Sequence, residues 1–509
     1  MRTGTHAQAG GSGSVAAETG KARLRRIGVI DVGSNSVRLV VFDGMARSPA
    51  YFYNEKVLCG LGAGLGSTGR LSPKGWRCAL AALHRYAALA GRMQLSGMIA
   101  VATAAVREAR DGPDFCAQVE RETGLQLHVA SGSEEAQLSA KGVLLGWPAA
   151  EGLVCDMGGS SMELAHVSGG QVHDRATAPL GPLKLAEIAD GEKRARFVRK
   201  QVKALRRAVA GEPRRLFLVG GSWRAIARLD MERRGYPLKV LHGYEPPAAQ
   251  LLETLAWIRA REPAELSALT GTSMARLSLV PLATLALEEL IARIEPGRIA
   301  VSAYGLREGL LYRQMPEAVR RLDPLIEACR HMEAAASRMP GFGETLFDWL
   351  GPLYAGRSAA ELRLVHAACL LHDANWRAHP DYRAELCFDS VTRGNVGGID
   401  HPDRVFLGLA LLNRYKATAP DATATLFRGI LPEPRAAEAV ILGRAMRLGA
   451  MLSGSATGVL EHARLEPGDG RLTLTLCGPA REFAGEVVER RLQSLASRLD
   501  ATGVMICAE

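Results

Sequence analysis

Aromatic residues are scarce in this sequence: Phe, Trp and Tyr fill 5% of 509 positions. Recognition of single-stranded nucleic acid by stacking bases on rings therefore has little material. Long uncharged apolar runs are missing too. The strongest candidate, "LSLVPLATLALEELIA", is broken by Pro281, Glu288 and Glu289, short of the roughly 18 residues a membrane span needs. The nine cysteines stand singly, without a CxxC pair, which argues for reduced thiols and against a zinc ribbon or disulfide frame. The first 26 residues lack the apolar centre of a secretory signal. They read as a disordered tail, and the chain is expected to be cytoplasmic, with no membrane and no nucleic acid among its partners. Acidic residues are the minority among the charges, 53 against 63 basic, leaving +10. That excess hints at an anionic partner and says nothing about fold. What remains, 47% hydrophobic and 23% charged, is an ordinary soluble composition, long enough for two to four domains.

The informative feature is a stretch that occurs twice. "IGVIDVGSNSVRLVVFD" runs from Ile27 to Asp43, and "GLVCDMGGSSMELAHVSGG" begins at Gly152. Asp156 aligns with Asp31, Gly158 with Gly33, Ser161 with Ser36 and Leu164 with Leu39. Each copy reads as strand, tight turn, strand, and the repetition predicts two related domains with a ligand cleft between them. Backbone N–H groups of Gly33, Ser34, Asn35 and Ser36, and of Gly158, Gly159, Ser160 and Ser161, can converge into anion-binding nests. A single such turn is as readily a solvated hairpin; two in one register favour a pair of phosphate cradles. A carboxylate beside a phosphate would repel it unless Mg²⁺ lies between them. Asp31 and Asp156 end the two leading strands, and Glu163, seven residues after Asp156, returns toward the same mouth. Arg38 stands at the matching place in the first copy, where it suits direct anion contact.

Other stretches add candidates. In "SGSEEAQLSAKGVLLG", Ser131 and Glu134 form a capping box, which leaves Glu135 free to act as a base or simply to meet the helix dipole. "VATAAVREAR" offers Arg107 for bidentate phosphate contact. "LVGGSWRAIA" puts Gly220, Gly221 and Ser222 at a helix N-terminus, where anions are favoured, although the lysine of a P-loop and a full GxGxxG are both absent. "KRARFVRKQVKALRRA" is an amphipathic basic helix, suited to a polyanion or to solvent. Strands alternate with helices to about residue 315; the next 150 positions read as helical, and the last 45 as strand, helix, strand.

Taken in order and spacing, "IDVGSNSVRLVV", "TAAVREA", "SGSEEAQLSAKGV", "CDMGGSSMEL", "LVGGSWRAIA" and "SAYGLREGLLY" resemble the exopolyphosphatase / guanosine pentaphosphate phosphatase family. The resemblance implies an α/β fold of duplicated actin-like (RNase H-like, ASKHA) domains, 27–138 and 139–315. An all-α HD-like domain over 316–464 and a small α/β cap over 465–509 would follow. It implies Glu135 as catalytic base, Asp156 and Glu163 as carboxylates for Mg²⁺ or Mn²⁺ with Asp31 nearby, and Asn35, Arg107, Gly158, Gly159 and Ser161 as phosphate ligands. Ser160 departs from the family's usual glycine, so a Cβ is expected to tighten that loop or alter its backbone angles. In the helical part His366, His372, Asp373 and His379 suggest the HD pattern. The further His and late Asp of a working metal site are not found, His331 being poorly placed, so dimerisation and walling a channel are the expected roles. The implied activity is release of terminal phosphate from inorganic polyphosphate by a cytoplasmic homodimer. A guanosine pentaphosphate phosphatase and a non-catalytic binder of polyphosphate or alarmone are the alternatives, with guanosine penta- or tetraphosphate as candidate partners.

Overall fold

A computed structural model describes residues 25–416, 427 and 429–508. The tail expected over residues 1–26 lies outside the described residues except for its last two positions. Arg26 is already anchored, its carbonyl accepting from Ser96 and its guanidinium lying over the Phe52 ring.

The repeat in the sequence is a repeat in topology. Strands β1 (Ile27–Val32), β2 (Ser36–Phe42), β3 (Tyr51–Leu58), β4 (Gly97–Ala102) and β5 (Leu127–Val129) form one sheet in the order β3-β2-β1-β4-β5. Strands β6 (Gly152–Met157), β7 (Met162–Ser168), β8 (Gln171–Ala178), β9 (Arg215–Gly220) and β10 (Arg298–Val301) form another in the equivalent order β8-β7-β6-β9-β10. In each the first three strands are antiparallel and the fourth and fifth run parallel to the first. β1 and β6 lie centrally, covered on both faces, so their near-continuous apolar runs are buried rather than alternating. The sequence reading missed β3 and β8. Both are edge strands with mostly exposed residues, and without a buried face they carry no hydrophobic signature.

Two helices lie between the sheets at backbone contact. Gly132–Gly146 opens with the expected Ser131–Glu134 capping box and packs against Leu306–Gln314. A Cβ on Gly142 would meet the Gly305 carbonyl at 2.2 Å, and one on Gly309 would meet the Leu138 carbonyl at 1.7 Å. These glycines explain why "SAKG" and "GLREG" occur together: each vacates the space the other helix occupies. The domain limit expected at 138/139 falls inside the first of these helices.

Among the described residues the remainder is mainly helical to Ser453, in line with the sequence, and is followed by a three-stranded sheet in the order β11-β12-β13. Here β11 is Ala463–Gly468, β12 Arg471–Cys477 and β13 Thr502–Ala508. The cap therefore gains a strand not foreseen, antiparallel to β12, which runs through the expected 464/465 limit. Its "ARLEPG" is short and contains Pro467, tolerable because it is an edge strand. No described helix is long and apolar enough to cross a membrane.

Candidate active site

Strand register assembles the site. Asp31 lies opposite Arg38 across β1–β2, and Asp156 opposite Glu163 across β6–β7. The same closing bond joins both turns: Gly33 N donates to Ser36 O at 2.9 Å, and Gly158 N to Ser161 O at 3.0 Å. The turns face each other. Ser160 Oγ donates to Ser34 Oγ at 3.1 Å, and a Cβ on Gly159 would stand 3.6 Å from the Cβ of Ser34. Ser160 has no positive φ, so the departure from glycine leaves ordinary backbone and adds a hydroxyl link between the halves. Ser34 and Asn35 line a cavity of about 390 Å³ with the glycine-rich 60–67 loop, Leu183 and Glu187.

Three acidic groups gather on the second-half side. Glu135, on the first turn of its helix and 7% exposed, pairs with Arg107, whose Nη1 also donates to the Ala130 carbonyl at 2.7 Å. Burial, opposed by Arg107 and helped by Asp156 and Asp31, pushes the Glu135 carboxyl up to about 7. Asp156 accepts from the Ser139 hydroxyl, and burial raises it. Glu163, 3% exposed, accepts from Thr177 Oγ1 at 3.0 Å; burial first, then Glu135 and Asp156, hold it well above the usual carboxylate range. Neither Asp156 nor Glu163 pairs with a Lys or Arg among the described residues.

Gly220 and Gly221 join β9 to the helix Gly221–Arg233, with Ser222 in its first turn, alongside Asp156 and Met157. Gly220 is held at φ 115°, and a Cβ there would strike Met157 O at 2.5 Å and Asp156 Oδ1 at 2.9 Å. Close approach to that carboxylate requires glycine.

Asp31 has another partner than the one expected. Its Oδ2 accepts from Arg307 Nη1 at 3.0 Å, so a cation already compensates it. Arg307 sits in the "GLREG" segment beside Glu308, which is 1% exposed and accepts from Gly305 N and Tyr51 Oη. Arg307, Arg224 and Lys56 were not singled out from the sequence. Together with Arg38 they form a basic wall: burial and the two neighbouring guanidiniums bring Arg38 down to about 10, and burial with Arg276, Arg38, Arg307 and Arg224 brings Lys56 down to about 8. Arg224 and Arg307 stand inside recognisable motifs, but only folding shows that residues so far apart converge.

No three Asp, Glu, His or Cys side chains form a ready-made metal cage among the described residues. Mg²⁺ needs none, since it takes one or two carboxylates and completes its octahedron with phosphate and water oxygens. Asp156 and Glu163, opposed across the hairpin and without an ion pair among the described residues, fit such an ion. In the helical part the four noted side chains do not converge. His366 contacts Glu344 at 2.7 Å, Asp373 is bound by Arg338 through two bonds of 2.8 Å, His372 packs on Phe342, and His379 is exposed beside Asp381.

Comparison with known proteins agrees with this architecture. The chain is 26% identical over 307 residues to exopolyphosphatase 1 of Mycobacterium tuberculosis, covering 57% of this chain and 88% of that one. It is 26% identical over 312 residues to exopolyphosphatase 2 of the same species, covering 56% and 98%. Its fold resembles crystal structures of the Aquifex aeolicus Ppx/GppA family member (24% identity, TM-score 0.50, 57% of this chain and 97% of that) and of an exopolyphosphatase from Cytophaga hutchinsonii (23%, 0.52, 57% and 97%). The exopolyphosphatase C-terminal model matches residues 325–505. The Ppx/GppA phosphatase model matches residues 40–318, more than half of the sequence, and the chain belongs to that family.

Proposed function

We propose that this protein is an exopolyphosphatase, releasing orthophosphate from the end of inorganic polyphosphate. The observation that carries the reading is the meeting of two anion-cradling turns, a basic wall and a buried carboxylate near neutral pKa in one cleft. The turns at 33–36 and 158–161 and the N-terminus at Gly220, Gly221 and Ser222 receive the terminal phosphate, and Arg107 contacts its oxygens. Glu135 removes a proton from a water; the water oxygen bonds to the terminal phosphorus as the bridging P–O bond breaks and the shortened chain departs. A base near its operating pH suits that transfer. Asp156 and Glu163 would hold Mg²⁺ or Mn²⁺, which when bound neutralises charge on phosphate oxygens. Positioning and charge carry most of such a reaction.

The wider reading is a cytoplasmic homodimer whose helical part, related to HD phosphohydrolases, serves assembly and substrate guidance rather than metal chemistry. The test compares kcat/KM for long-chain polyphosphate and for guanosine pentaphosphate. A higher value for the polymer supports the reading. A higher value for the nucleotide makes the protein an alarmone phosphatase, and hydrolysis of neither makes it a binder.

A further inference from the structure

The basic helix Gly191–Ala208 takes no part in the cleft described above. Its Val198, Val202 and Leu205 are buried against the second half. At 100° per residue, Lys193, Arg196, Lys200, Lys203 and Arg207 all fall on the opposite side, and all five are exposed. Among the described residues none of them pairs with a carboxylate. This contrasts with Arg194 and Arg206, whose guanidiniums are spent on the carbonyls of Leu185, Ile188, Val209 and Gly211. The stripe runs about 21 Å along the helix, at ~1.5 Å per residue.

The helix is joined to the phosphate site. Leu183 N donates to Gly159 O at 2.9 Å and Gly181 N to Ser160 O at 3.1 Å, so the segment before the helix is bonded to the second turn. Leu183 and Glu187 form the second-half wall of the 390 Å³ cavity beside Ser34 and Asn35. Three residues on, Asp190 caps the helix. Arg194 fastens its first turns to Leu185 and Ile188. The stripe therefore begins six residues beyond Glu187 of the cavity wall, on a segment bonded to the second turn.

We propose that Lys193, Arg196, Lys200, Lys203 and Arg207 form a second binding site, remote from the reacting phosphate, for the body of a long polyphosphate chain. The proposal rests on the exopolyphosphatase reading and deepens it. Evenly spaced, unpaired cations with no aromatic ring among them match a polymer that is phosphate throughout and offers no base to stack.

The test replaces all five with Gln, leaving the buried face intact, and circular dichroism and unfolding temperature check the fold. KM for chains of several hundred phosphates should rise at least tenfold, while kcat, and KM for tripolyphosphate, stay unchanged. The slope of log KM against log salt should flatten for long chains only, by roughly 0.7 for each phosphate that the stripe no longer neutralises. Equal changes for both substrates, or none, overturn the second site. Loss of poly(U) RNA binding with an unchanged long-chain KM also overturns it and assigns the stripe to nucleic acid. If the wild type hydrolyses neither polyphosphate, the exopolyphosphatase reading fails by itself. The stripe is then decided by direct retention of long polyphosphate, expected of the wild type and abolished in the variant.

Discussion

The two halves share strand order, register and turn, yet differ in how they neutralise charge. In the first, Asp31 is matched by Arg307 at 3.0 Å and faces Arg38 across the hairpin. In the second, Asp156 faces Glu163 and neither has an ion-pair partner among the described residues; the hydroxyls of Ser139 and Thr177 donate to them, and Arg224 and Arg307 act on Asp156 only through their charge. One frame thus carries two arrangements of charge: a carboxylate held in an ion pair in the first half, and two facing carboxylates without one in the second. Buried carboxylates without an ion-pair partner are costly, and burial raises their pKa; in the proposed reading a bound metal ion offsets that cost.

That contrast can be broken directly. Chelating divalent ions should abolish hydrolysis, and Glu163→Gln should lower turnover by roughly 10²-fold or more. Mg²⁺ should raise the unfolding temperature of the wild type and of Arg38→Gln but not of Glu163→Gln. A Mg²⁺ response that disappears in Arg38→Gln instead would place the ion in the wrong half.

A smaller effect is expected on the compensated side. Arg307→Met leaves Asp31 unmatched and removes one cation from the basic wall, so KM for polyphosphate should rise roughly tenfold, in line with loss of a charged hydrogen bond. A fall in kcat with unchanged KM would instead make Arg307 part of the reacting centre.

The halves are also fastened differently. In the first, Arg47, 2% exposed, donates to Leu144 O, Leu145 O and Leu322 O. In the second, His242, its ring tilted between those of Trp147 and Tyr304, meets the helical part through His401, which contacts His242 O and Tyr236 Oη. Burial, with the charge of Arg404 acting on both rings, lowers His242 to about 3 and His401 to about 4. Both are neutral when folded and take up protons when unfolded below about 6.5, so their stabilisation is present above that pH and is lost as pH falls toward 4. The unfolding temperature should drop by a few degrees over that window, less steeply in His242→Phe. An unchanged slope would remove this pair as the cause.

The sequence revealed the hairpins, their shared register and the Ser131 cap because each has a local pattern. The edge strands β3 and β8 escaped because exposure erases periodicity, and β11 because it is a mostly exposed edge strand that carries Pro467. The site was legible where candidates sat at strand ends and turns. Arg307 and Arg224 were hidden because the carboxylates they act on, Asp31 and Asp156, are distant in sequence and are met only in the fold. Ser160 could be flagged but not interpreted until Ser34 stood opposite it.

Everything proposed for the cleft turns on Glu135 as the base that cleaves polyphosphate. The most direct measurement is phosphate release from long-chain polyphosphate with Mg²⁺, wild type beside Glu135→Gln, with polymer binding followed in both. Release by the wild type that falls roughly 10²–10⁴-fold in the variant while binding persists is the expected result. Binding and turnover falling in equal measure, or turnover retained without Glu135, would contradict it.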